Sequence, residues 1–68
     1  MNATARRTSP SQYYLNTYPQ VGMTVTVQMA IGNQTFEIVG EPIKVGSSMW
    51  TAKVVEADGN TFCAYLTN

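Results

Sequence analysis

Residues 49–66 read Met49-Trp50-Thr51-Ala52-Lys53-Val54-Val55-Glu56-Ala57-Asp58-Gly59-Asn60-Thr61-Phe62-Cys63-Ala64-Tyr65-Leu66. Two stretches rich in β-branched and aromatic residues flank an Asp-Gly turn, which is the pattern of a β-hairpin. Two loop lengths compete. A two-residue Asp58-Gly59 loop places Phe62 opposite Val55 and puts Lys53 on the face of Phe62 and Leu66. A three-residue loop, with a type I turn and Gly59 in the left-handed region, pairs Trp50 with Leu66, Ala52 with Ala64 and Val54 with Phe62. A one-residue slip exchanges the two faces of a strand, so the choice decides which side is core. Only the longer loop keeps the Lys53 charge off the core face, and a G1 bulge at Gly59 is expected.

Upstream, Thr24-Val25-Thr26-Val27-Gln28-Met29 and Thr35-Phe36-Glu37-Ile38 alternate polar and apolar residues, as half-buried strands do. The intervening Ile31-Gly32-Asn33-Gln34 suits a two-residue type II′ turn centred on Gly32-Asn33. That turn pairs Met29 with Phe36 and Val27 with Ile38 on one face, and Gln28 with Glu37 and Ala30 with Thr35 on the other. Between the hairpins, Ile43 and Val45 alternate around Lys44 after Pro42, which fits a short edge strand. Residues 21–68 are therefore expected to form an all-β domain of four to five short strands. The expected architecture is a small antiparallel barrel or sandwich, SH3-like or OB-like in form.

Residues 1–20 read as an N-terminal arm. Ser9-Pro10-Ser11-Gln12 matches a capping box, with Ser9 as N-cap and Pro10 at the first helical position. One or two helical turns are expected near 10–16, with residues 1–8 extended or disordered. Without the arm, 48 residues must offset an ordering cost of about 1.5 kcal/mol each. The single cysteine, Cys63, forms no intrachain bridge, and the chain has no histidine for a closed zinc site. Association with other subunits is the remaining route to stability.

Only 12% of residues are charged, about half the usual share, and the net charge is zero. Arg6 and Arg7 give the arm +2, while Lys44 and Lys53 against Glu37, Glu41, Glu56 and Asp58 leave the body at −2. Such an arm is weakly complementary to the body of a neighbouring copy. Out of phase with the expected core stand Val39, Val55, Cys63 and Tyr65, an apolar outer patch of the kind that marks partner surfaces. The arm's own Tyr13, Tyr14 and Tyr18 or another subunit would cover it. The candidate partner-binding residues are thus Arg6, Arg7, Tyr13, Tyr14, Tyr18, Val39, Val55 and Tyr65.

No arrangement of residues points to catalysis. Nucleophilic chemistry needs a base beside the nucleophile, and Cys63 has no histidine partner. Glu56 and Asp58 flank a turn where nothing would split their pKa values. The five glycines match no phosphate-cradling spacing. No cofactor or metal is expected. Small barrels also bind single-stranded nucleic acid, and Trp50, Tyr65, Phe36 and Phe62 offer rings for stacking. The basic groove is missing, however: Arg6, Arg7 and one lysine on phosphates would give a salt slope of only about −2 to −3. No apolar run reaches a membrane span, and no leader-like segment follows Met1. The expectation is a non-enzymatic assembly protein. Its expected setting is a small virion component, capsid-stabilising or cementing, of a bacteriophage, located in the virion or the host cytoplasm. A small regulatory nucleic-acid-binding barrel is the alternative.

Overall fold

The computed structural model describes residues 1–68 as seven strands and no helix. They are β1 (Asn2–Ser9), β2 (Gln12–Leu15), β3 (Thr24–Met29), β4 (Gly32–Ile38), β5 (Ile43–Lys44), β6 (Met49–Glu56) and β7 (Thr61–Thr67). The sheet runs β4-β3-β1-β2-β7-β6-β5, and an added β4–β6 pairing closes six of the strands into a barrel. β5 lies outside the closure, on the free half of β6. Pro42 precedes it and its two residues are exposed, so this edge is short and blunted against further pairing.

The β6–β7 hairpin has the expected register, with Trp50 opposite Leu66, Ala52 opposite Ala64 and Val54 opposite Phe62. Gly59 has φ +92° and donates its N–H to the Glu56 carbonyl at 2.9 Å. Glu56 in turn donates to the Asn60 carbonyl at 2.8 Å, which completes the bulge. The Asp58 carboxylate holds the turn by accepting from both the Asn60 N–H and the Asn60 side-chain amide, each at 3.0 Å.

The barrel is mixed, not purely antiparallel: β1 runs parallel to β3, and β2 runs parallel to β7. Both parallel seams come from residues 1–15, which are not a free arm. β1 and β2 form a hairpin inserted between β3 and β7. The expected helical turn near 10–16 is replaced by a turn at Pro10-Ser11 and by strand β2. Proline at the first central position with φ +61° at Ser11 fits a type II turn. A left-handed Ser11 is incompatible with a helix capped by Ser9, whereas the fixed φ of Pro10 serves a turn equally well.

The first hairpin also differs from expectation. Its loop is Ala30-Ile31, pairing Met29 with Gly32, Val27 with Gln34 and Val25 with Phe36. The slip preserves strand parity, so Val25, Val27, Phe36 and Ile38 still face inward, and the local hydrophobic pattern suits both registers. Closure selects between them. Phe36, Glu37 and Ile38 must pair with Glu56, Val55 and Val54, while Ile38 exchanges hydrogen bonds with Gly22 and Met23. In a closed barrel the stagger of every strand is linked to that of its neighbours.

The core is built evenly. Each barrel strand sends in two residues: Ala3 and Ala5, Tyr13 and Leu15, Val25 and Val27, Phe36 and Ile38, Ala52 and Val54, Ala64 and Leu66, with Met23 completing the set. The alanines leave room for Tyr13 and Phe36, as the narrow interior of a small barrel requires. Four of these thirteen core residues come from β1 and β2. Residues 21–68 therefore do not build the core alone: β1 and β2 complete it.

Candidate functional site

The outward residues of β2, β7, β6 and β5 line up across the sheet. Gln12 stands beside Tyr65, Tyr65 beside Thr51, and Thr51 beside Ile43. The next row runs from Arg6 through Tyr14 and Thr67 to Met49. Tyr14, Tyr65, Val39 and Ile43 are 42–65% exposed along this face. Cys63 is exposed as well, opposite Lys53, whose carbonyl accepts from the Val39 and Gly40 N–H groups. The Arg6 guanidinium lies 5.5 Å from the Tyr14 ring centroid, a cation–π contact that leaves the tyrosine accessible from its other side. Val39, Cys63 and Tyr65 are thus exposed on the outer side of the sheet, interleaved with Gln12, Thr51 and Lys53, and the first strands do not lie over them.

Of the other candidate residues, Tyr13 is corrected: at 3% exposure it is core, packed on Phe36, and is not available to a partner. Tyr18 is exposed and sits edge-on to Trp50, with centroids 5.5 Å apart. The Lys44 ammonium approaches the Trp50 ring at 5.8 Å, so Tyr18, Trp50 and Lys44 form a group at the start of β6. Val55 is half-buried on the outer face, between Glu37 and Thr61. Arg6 and Arg7 separate: Arg6 belongs to the outer face and Arg7 to the other end of the barrel.

That other end is a mouth, which the sequence reading did not single out. It is an open cleft of about 590 Å³ between the β3–β4 and β6–β7 tips, with Arg7 on its wall. A polar chain runs up from its floor. The Tyr13 hydroxyl donates to Gln34 Oε1 at 3.4 Å, and Gln34 Nε2 donates to Glu56 Oε2 at 3.0 Å. Ile31 forms the rim at 94% exposure. No sequence signal marked it, because the residues that favour a two-residue turn, Gly32 and Asn33, lie one step beyond the Ala30-Ile31 loop that forms. No three of the Cys, Asp and Glu side chains gather in one place. The mouth sets the exposed Ile31 in one cleft with Arg7, Glu56 and Asp58.

No protein-family model matches the chain, and neither the curated proteins nor the solved structures compared with it give a match.

Proposed function

We propose that this chain is a non-enzymatic assembly protein, a small barrel that binds neighbouring protein subunits, its own copies or a larger assembly protein. The contact is the outer face of β2, β7, β6 and β5. One observation carries the reading: Tyr14, Tyr65 and Ile43 are exposed on adjoining rows of this face, with Val39 exposed beyond Lys53 at its edge. Exposed large apolar side chains gathered on one face of so small a domain make it a candidate interaction surface. Tyrosine supplies broad contact area with few rotors and a polar tip, and it is enriched at interfaces. Weak charging lowers the cost of desolvating the patch. The biological setting proposed is the virion of a bacteriophage, where the protein would stabilise or cement the capsid. Small size and sparse charge support that setting.

The test is the double substitution Tyr14→Ser/Tyr65→Ser. Both side chains project outward, so the thermal melt should move little. Association should weaken by at least about tenfold, since tyrosine anchors each contribute on the order of 1–2 kcal/mol. Sedimentation velocity reads this for self-association, and co-purification with intact particles reads it for the virion setting. Unchanged assembly of a folded double variant overturns the reading.

A further inference from the structure

We infer that two copies of this chain dock mouth to mouth about a two-fold axis, a contact that stands on the mouth alone and not on the outer sheet face. The order of strands around the barrel is β1, β2, β7, β6, β4, β3, so β1 and β6 lie across the mouth from one another. Arg7 near the end of β1 and Glu56 at the end of β6, with Asp58 on the turn beyond, therefore place opposite charges on opposite rims. Both belong to the same cleft.

A surface with opposite charges at the two ends of one diameter is complementary to itself. Turning a second copy over, about an axis in the mouth plane perpendicular to that diameter, brings each Arg7 to the acidic rim of its mate. The β3–β4 tips lie to one side of the diameter, between β1 and β6, and the same rotation brings Ile31 to Ile31. An isologous contact has this form: one patch used twice, with each residue pair appearing in both directions. Ile31 is the most exposed large hydrophobic residue of the chain, and this docking removes it from water. Glu56 is steadied by the Gln34 amide, which keeps its carboxylate at the rim without neutralising it. Charge complementarity here sets orientation and excludes other registers, while the apolar tip supplies the anchor.

The experiment is sedimentation velocity of the full chain at concentrations up to about 1 mM, the range suited to an interface smaller than the standard size. The wild type should dimerise, more weakly as salt rises. Ile31→Ser should weaken the dimer by at least about tenfold while leaving the thermal melt unchanged, since that side chain touches solvent. Arg7→Glu and Asp58→Arg should each be monomeric, because each sets like charges against one another across the axis. An equimolar mixture of the two should form a heterodimer. If Asp58→Arg unfolds through loss of its Asn60 contacts, Glu56→Arg makes the same change in rim charge with that turn intact. Tyr14→Ser/Tyr65→Ser should leave this dimer intact while removing any species larger than a dimer, which separates it from the sheet-face contact. A wild type that stays monomeric throughout, a dimer indifferent to Ile31→Ser, or a mixture of folded charge variants that does not pair overturns the inference.

Discussion

The Tyr13 ring lies against Phe36 with centroids 5.1 Å apart and planes tilted by 58°. Phe36 continues to Phe62, edge-on at 6.1 Å. This stack ties strand β2, at the beginning of the chain, to both later hairpins. Tyr13→Ala should therefore cost about 3–5 kcal/mol, the range for deleting a buried aromatic ring, and most of the stability of so small a domain. Tyr13→Phe keeps the ring and loses only the 3.4 Å bond to Gln34, so it should cost about 1 kcal/mol or less. Removing residues 1–15 should abolish the cooperative transition in circular dichroism. A truncated chain that still melts as a β domain would show that β1 and β2 are dispensable.

Gly59 controls the other hairpin through its φ of +92°. An added Cβ there meets no heavy atom within 4 Å, so any cost of substitution is conformational and not steric crowding. Gly59→Val should lose at least about 1 kcal/mol because β-branched residues resist positive φ, and Gly59→Asn should lose less. Chemical denaturation of the two variants checks the order. A valine variant as stable as the parent would mean that the turn has another form.

The contrast between the two hairpins explains what could be read from the residues. In β6–β7 the turn chemistry and the placement of Lys53 both point to one register, and that register is observed. In β3–β4 both candidate registers bury Val25, Val27, Phe36 and Ile38, and the deciding contact is Ile38 with Val54, far away in sequence. β1 was illegible for a different reason. Its inward residues are Ala3 and Ala5, whose alternation carries little hydrophobic contrast and low strand propensity. Around the first turn, Ser9, Pro10 and Ser11 are compatible with both a helix start and a hairpin, and only the pairing of β2 with β7 decides. The outward placement of Tyr65 and Val55 was legible because they fall out of phase with the buried Leu66 and Val54. The mouth was not, because Arg7, Gln34 and Glu56 meet only through barrel closure.

Val54 and Val55 test the two faces side by side. Val54 is fully buried opposite Phe62, while Val55 is half-buried on the outside between Glu37 and Thr61. Val54→Ala should cost roughly 1–3 kcal/mol and Val55→Ala distinctly less in the isolated chain. The Val55 change should show mainly in association. Equal losses of stability, with assembly untouched, would place both valines in a two-sided core.

Cross-strand disulfides distinguish the two registers of the first hairpin directly. Thr26 lies opposite Thr35, and both project outward, away from the core face of Val25 and Phe36. Directly opposed residues in an antiparallel pair bring their Cβ atoms to about 4.5–5.5 Å, near the range from which a disulfide can close. With Cys63→Ser to remove the native thiol, Thr26→Cys/Thr35→Cys should oxidise readily and raise the melting temperature. Gln28→Cys/Glu37→Cys is the pair that a Gly32-Asn33 turn would bring together. In the observed register Gln28 faces Asn33 and Glu37 faces Thr24, four residues away along each strand. That second pair should stay reduced, or oxidise only at the expense of stability. Mass spectrometry of the oxidised variants reads the result, and rapid, stabilising closure of Gln28→Cys/Glu37→Cys would move the turn to Gly32-Asn33.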